Sequence, residues 1–270
     1  MTIELFQNYM KQYESNAKKI CYRIFYPRIS KDSGKIIMKK SSGNYDLFFN
    51  KKGILTHMLS LRGDYVYKII FCYSKSGILV KAIEFKDSTQ ELVSITDFKY
   101  DKEGRIEEEH EYNPFDLCRE TYHYYSDGKE MVHLIDNEHE AQLVTLKSFD
   151  VNNKIVEEKA TRSEMDDDGE VIEVEDDEEE NVILWQFYEY DDEGNRSKEI
   201  LKDTNGAEEG ITEYSYFNDG KVKSEISSSK NSCYTYEYEY LYNEKEHWKR
   251  MTSFKDKEVS SYYERGIEYF

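Results

Sequence analysis

The sequence predicts an all-β protein built of tandem antiparallel β-hairpin repeats. They lie side by side in one long twisted or curved meander sheet, with a short N-terminal α-helix as a cap. Three observations predict it. Turn glycines at Gly53, Gly77, Gly104, Gly128, Gly194 and Gly220, with Asn153 and Glu246 where two more fall, recur every 24 to 27 residues apart from one wider gap. Tyrosine-bearing runs alternate with polar residues at period two, the period of a strand and not of a helix. The chain has 2 prolines, Pro27 and Pro114, so the predicted strands keep their N–H donors. Repeats of this length bury an apolar face by stacking on their neighbours, which favours one elongated body over two ordinary domains.

The first segment stands apart. Phe6, Tyr9, Met10, Tyr13, Ala17 and Ile20 recur at spacings of three and four, with Thr2 available as an N-cap, and predict an amphipathic helix over residues 3–18. Residues 1–40 are thus a helix and capping segment covering a sheet edge that would otherwise invite another chain. Residues 41–270 are the hairpin array. In YTYEYEYLY, Tyr234, Tyr236, Tyr238, Tyr240 and Tyr242 fall on one strand face, and Thr235, Glu237 and Glu239 on the other. Similar strands precede the turns at residues 65–73, 94–100, 120–125, 182–190 and 212–217. Asp101 to Gly104 and Asp191 to Gly194 are polar runs ending in a glycine suited to the left-handed conformation, as short hairpin turns require. The strands that follow, such as residues 105–112 and 221–226, carry more charge, which places one face in water. Pro114 lies in NPFD between repeats. The wide gap runs from Asn153 to Gly194. Its excess is an acidic insertion at 163–181, where 12 of the 17 residues from Glu164 to Glu180 are acidic and none is basic. Self-repulsion there predicts a long hairpin tip or a loop.

Composition narrows the classes. Hydrophobic residues are 38% and charged residues 34%, too polar a mixture for a thick sandwich core, while 25 tyrosines can cover a thin sheet with wet faces. The four cysteines, Cys21, Cys72, Cys118 and Cys233, follow no CxxC spacing and read as free thiols. No apolar run approaches membrane-spanning length and the N-terminus lacks a signal-like core, so the expectation is a soluble cytoplasmic protein. The net charge of -19 is unevenly placed: residues 1–100 hold 17 Lys+Arg against 9 Asp+Glu, and the remainder holds 20 against 47. Such asymmetry steers a charged partner toward one end; the competing reading is a solubilising surface.

FYEYDDEGNRSKEI (residues 187–200) and FKYDKEGRIEEEHEY (residues 98–112) resemble the Y-x-Y-D-x-x-G-[RN] signature of the Rhs or YD repeat family. Tyr73 to Gly77 and Tyr125 to Gly128 keep the aromatic and the glycine but vary the aspartate or the spacing. MORN-like hairpin repeats, including antitoxin proteins, are the competing resemblance. The resemblance implies hairpins side by side in a long twisted sheet. In large Rhs proteins that sheet closes into a shell around a toxin, and the shorter length of this chain implies an open, curved one. It carries over no catalytic residues, since the shared positions shape the hairpin.

The chain shows no GxxxxGK[ST], GxGxxG after a strand, HExxH or GxSxG, so nothing names an enzyme and the expectation is a non-catalytic protein without a required cofactor. In EMDDDGEVIEVE, Glu164, Asp166, Asp168 and Glu175 occupy ligand positions of a calcium-loop pattern, with Gly169 at the sharp turn; the alternative is a solvated acidic turn. His110 and His123 form a conceivable metal pair if they face each other across neighbouring strands. Lys39, Lys40, Lys51 and Lys52 are candidate phosphate contacts. Trp185, Tyr188, Tyr190, Tyr236, Tyr238, Tyr240 and Trp248 form a candidate aromatic binding surface, and its competing role is sheet cover. Nucleic acid is disfavoured, because base stacking needs a basic groove and the tyrosine-rich half is acidic. The expected function is a protein-binding repeat module engaging a basic partner, in the manner of an immunity or antitoxin-like protein. The alternative is a carbohydrate-binding aromatic repeat protein.

Overall fold

A computed structural model describes residues 17–29, 36–41, 44–114, 116–137, 141–163, 182–244 and 247–269. Among them are nineteen strands and no helix. They are β1 (Ala17–Ile29), β2 (Ile36–Lys40), β3 (Tyr45–Phe49), β4 (Leu55–Arg62), β5 (Tyr65–Tyr73), β6 (Leu79–Lys86), β7 (Glu91–Tyr100), β8 (Ile106–Tyr112), β9 (Leu117–Ser126) and β10 (Lys129–Asp136). There follow β11 (Ala141–Phe149), β12 (Ile155–Ser163), β13 (Val182–Tyr190), β14 (Arg196–Lys202), β15 (Glu208–Tyr216), β16 (Val222–Ser229), β17 (Ser232–Tyr242), β18 (Trp248–Lys255) and β19 (Glu258–Tyr269).

The expected hairpins are present, and their turns explain the motif that predicted them. Asp101 Oδ1 accepts from the amides of Glu103 and Arg105, both at 2.9 Å. Asp150 Oδ1 does the same for Asn152 and Lys154, at 2.8 and 2.9 Å, and those amides hold its carboxyl below the usual carboxylate range. The chain then leaves the turn through a left-handed residue, Gly104 (φ 80°) or Asn153 (φ 62°), a conformation glycine adopts freely and asparagine tolerates. Three tyrosines at or near the end of a strand join their hairpin to the one before. Tyr125 Oη donates to the carbonyl of Ile106 at 3.0 Å, Tyr190 to Ile155 at 2.7 Å and Tyr216 to Arg196 at 2.7 Å. The acceptor in each case lies two residues beyond the turn Gly or Asn of the preceding hairpin. The tyrosine, aspartate and glycine of the repeat are therefore one device for turning the chain and stapling it to its neighbour.

The open meander with a helical cap is corrected. All nineteen strands belong to one sheet, and its first strand pairs with its last. β1 runs antiparallel to β19 from Ala17↔Tyr269 to Phe25↔Tyr262, while its other edge takes β3 (Lys19↔Phe48 to Tyr22↔Tyr45) and then β2 (Phe25↔Lys40 to Ile29↔Ile36). Where β2 gives way to β3 the ladder is bridged by Asn44, whose side-chain oxygen accepts from Ile24 N at 2.8 Å, and by Ser41 N, which donates to Ile24 O at 2.7 Å. The sheet is therefore closed, the topology of a β-barrel, with β2 as a short arm. Closure removes the exposed edges that the helix was expected to cover. Ala17 and Lys18, placed in that helix by the sequence pattern, open β1; residues 1–16 lie outside the described residues. Pro27 sits within β1, against the expectation of proline-free strands. The β1–β19 register ends at Phe25, so a strand edge opens there where a missing N–H is tolerated.

Two compact units make up the chain. Unit 1 comprises Met1–Ile95, Tyr238–Phe254 and Glu258–Phe270, and unit 2 comprises Thr96–Glu237 with Lys255–Lys257. Unit 1 holds the apolar core: Ala17, Ile20 and Tyr22 of β1 meet Leu47 and Phe49 of β3 and Leu55 and Met58 of β4, with Trp248 and Ile267 packed alongside. Ile20 and Tyr22 alternate with Cys21 and Arg23 along β1, as a half-buried strand demands, whereas bulges at Ala17/Lys19 and Phe48/Phe49 interrupt the alternation in β1 and β3. The division also separates charge. Unit 1 carries 20 Lys+Arg against 14 Asp+Glu, a net +6, and unit 2 carries 17 against 42, a net −25.

Candidate functional site

Directly opposed residues of an antiparallel ladder share a face. The registers of unit 2 therefore set Tyr125, Glu130, Lys147, Glu158 and Gln186 in one row across β9 to β13. Tyr188 and Glu199 continue it, then Tyr214, Glu225 and Tyr236. The face is a ladder of tyrosines and carboxylates. Tyr188, 7% exposed, donates through Oη to Glu158 at 3.1 Å and to the Gln186 side-chain oxygen at 2.8 Å, and Tyr214 donates to Glu199 at 3.3 Å. Burial and the neighbouring Glu158 push the Tyr188 hydroxyl far above its ordinary value, so it remains a donor throughout the working pH range. The ring faces carry cations: the guanidinium carbons of Arg105 and Arg196 stand 4.2 and 4.1 Å from the ring centres of Tyr125 and Tyr188.

The most enclosed part of this face is a charged row. His123 Nδ1 lies 2.9 Å from Glu130 Oε1 and its Nε2 lies 3.4 Å from Glu109 Oε1, while Lys147 Nζ reaches Glu130 Oε2 at 3.2 Å. Glu130 is 5% exposed. Burial opposes the His123 charge, but Glu109 and Glu130 outweigh it and raise the imidazole to about 9. Burial likewise opposes ionisation of Glu130, and His123 with Lys147 overcomes it, lowering the carboxyl to about 2. At neutral pH His123 and Glu130 therefore face each other as opposite charges. Sequence reasoning missed Glu109, Glu130 and Lys147, since their only signal is the strand period, shared by every strand of the chain.

The expected aromatic surface is divided. Tyr188, Tyr190 and Tyr236 face one side of unit 2, whereas Trp185 is on the other side of β13. Trp185 Nε1 donates to Glu157 at 2.9 Å, and the ammonium groups of Lys159 and Lys202 lie 4.9 and 5.1 Å from its ring centre. A Cβ at Gly206 would meet the ring edge at 3.3 Å, so the turn before β15 is packed on the indole. Tyr238, Tyr240 and Trp248 belong to unit 1, where Trp248 meets Tyr240 edge-on at 6.4 Å and lies under Arg265, 4.4 Å away. Trp185, Tyr188 and Trp248 each carry a local cation over the ring.

Other expected sites fare as follows. Glu164, Asp166, Asp168 and Glu175 of the calcium-loop pattern lie outside the described residues, and among the described residues no group of three metal-ligating side chains is present. His110 opposes Glu120 and shares a face with Tyr122, opposite to that of His123, so the two histidines do not face each other. Lys51 and Lys52 are exposed in the turn after β3, and the side chains of Lys39 and Lys40 are outside the described set. None of the four cysteines takes part in a disulfide among the described residues.

No family model matches the chain, and no curated protein matches it. Solved structures similar to it include a porin-like protein from Bacteroides uniformis (10% identity, TM-score 0.31, covering 93% of this chain and 96% of that one). Another is a porin-like protein from Bacteroides vulgatus (7%, 0.29, 94% and 99%). A third is TcdB2-TccC3 in complex with Cdc42 (9%, 0.36, covering 83% of this chain and 14% of that one). The cytoplasmic expectation is corrected together with the open sheet. It rested on the lack of an apolar run long enough for a helical span, and closed antiparallel sheets answer to a different criterion. No helix among the described residues is long and apolar enough to cross a membrane, which says nothing of strands. The immunity-protein expectation, tied to an open cytoplasmic sheet, does not stand either.

Proposed function

We propose that the protein is a non-catalytic binding scaffold whose acidic unit 2 engages a basic polypeptide. The observation that supports this reading is the division of charge, −25 on unit 2 against +6 on unit 1. Glu107, Glu189, Glu208, Glu209, Glu213 and Glu237 are exposed on its strands. A repulsive surplus of this size favours a cationic ligand and speeds its encounter at low salt. The unit's own contacts illustrate how a lysine or arginine would be held, with a ring beneath the cation and a carboxylate beside it. The hairpin-repeat resemblance adds nothing to this reading, because the residues that carry it shape and staple the turns.

Calorimetric titration of the whole protein with a Lys/Arg-rich peptide of about 20 residues tests the proposal. Binding at 50 mM salt that weakens at least tenfold by 300 mM is expected, as screening of exposed charges demands. The triple variant Glu208→Gln, Glu209→Gln, Glu213→Gln is expected to weaken it further. Absence of binding at 50 mM salt, or affinity indifferent to salt and to the three substitutions, would refute it.

A further inference from the structure

We propose that the outer edge of the β2 arm is a strand-addition site for an extended acidic peptide. Closure of the sheet spares this one short edge. The β1–β19 register stops at Phe25↔Tyr262, whereas β1 runs on to Ile29 alongside β2. On its other side β2 has no strand partner among the described residues.

The register shows which backbone groups that edge presents. Ser41 N donates to Ile24 O at 2.7 Å, so residue pairs that continue this phase exchange ladder bonds. Tyr26↔Lys39 and Arg28↔Ile37 are such pairs; Pro27↔Met38 and Ile29↔Ile36 are the pairs between them. The amides and carbonyls of Ile36 and Met38 therefore point away from β1, toward the open side. Pro27 obeys the same geometry on the far edge of the arm, where its nitrogen, lacking a hydrogen, points away from β2. A row of outward donors and acceptors on a short strand is what an added strand pairs with, and the side chains beside it select the sequence.

The selection here is for negative charge. Residues 28–40 contain five basic residues, Arg28, Lys31, Lys35, Lys39 and Lys40, against one acidic residue, Asp32. Arg28 is exposed and has no carboxylate partner among the described residues. Ile37, 51% exposed, stands opposite Arg28 on the same face of the arm and offers an apolar contact beside the cation. Two arms brought edge to edge would set like charges together, which disfavours a second copy of this chain and favours an acidic strand. The site lies within unit 1 and is independent of the acidic surface of unit 2.

Fluorescence anisotropy tests the site, with a labelled, capped peptide of about seven alternating glutamate and valine residues titrated with the full chain at low salt. Saturable binding is expected, and none with the peptide whose glutamates are replaced by lysines. Met38→Pro removes an outward donor and no bond of the β1–β2 ladder. It is therefore expected to keep the melting temperature while weakening the acidic peptide at least tenfold. Arg28→Gln is expected to weaken it several-fold. On the unaltered chain, saturating acidic peptide is expected to slow hydrogen exchange at the amides of Ile36 and Met38, which decides the matter even if Met38→Pro fails to fold. Absence of binding at low salt, equal binding of the lysine peptide, full affinity in a folded Met38→Pro, or unchanged exchange at those two amides would each overturn the proposal.

Discussion

Replacing Glu130 by glutamine removes the charge that His123 and Lys147 share, and the cost follows from the structure. The carboxyl is 5% exposed and its pKa is lowered from 4.5 to about 2. A displacement of that size corresponds to about 3 kcal/mol of preference for the charged form, counted once for the coupled row. That agrees with the roughly 3–5 kcal/mol lost when one partner of a buried ion pair is removed. The pH dependence is distinctive. Glu130 is depressed in the fold, so its contribution is present above its unfolded value and is lost as pH falls from about 4.5 toward 2. His123 is raised to about 9, so its contribution is complete below about 6.5 and is lost as pH rises through 9. Urea unfolding of the native protein is therefore expected to show this row's stabilisation at its largest between about pH 4.5 and 6.5. Glu130→Gln is expected to lie about 3 kcal/mol lower there, with the gap closing toward pH 2 and narrowing above pH 9. A gap that is constant from pH 2 to 9.5, or a His123 titration by NMR centred near 6.5, would refute the reasoning.

Tyr190→Phe and Tyr216→Phe each remove one hydroxyl that bonds a carbonyl of the preceding hairpin at 2.7 Å. Each is expected to lose about 1 kcal/mol in urea unfolding, and no loss in either would show that the staples carry no stability. Gly104 is at φ 80° with open space where a Cβ would go, so backbone strain alone decides. Gly104→Ala is expected to cost about 1–2 kcal/mol and Gly104→Asn less, and equal costs would contradict that account.

The hairpins were legible because their signals are local. The polar run ending at Gly104, the tyrosine one residue before Asp191 and the period-two alternation around Tyr236 each encode a contact within a few residues or with the adjacent hairpin. Some local signals were passed over: Gly63 and Gly206 also turn with positive φ. What failed was non-local. The pairing of Ala17 with Tyr269 leaves no trace in any window of sequence, and the spacings of three and four around Ala17 and Ile20 predict a helix where a strand forms, with Ile20 and Tyr22 facing the core. Closure, once missed, carried the compartment expectation with it. The rings proposed as a binding surface were visible as tyrosines and tryptophans, but their burial under Arg196, Lys202 and Arg265 depends on strand register and turn packing. The His123 row was invisible for the same reason, since Glu130 and Lys147 meet through the β10–β11 register.

The closing contact between the first and last strands has a direct chemical test. Gly266 is the register partner of Cys21, and a Cβ at 266 would stand 3.9 Å from that of Cys21, within the span of about 3.5–4.5 Å that a disulfide requires. Oxidation of Gly266→Cys should consume two thiols and yield a 21–266 linked peptide on non-reducing mass mapping, with no cross-link between molecules. If every thiol stays titratable under conditions that oxidise a dithiol peptide, or if the new cysteine pairs with Cys72, Cys118 or Cys233 instead, the two ends of the sheet are not joined as described.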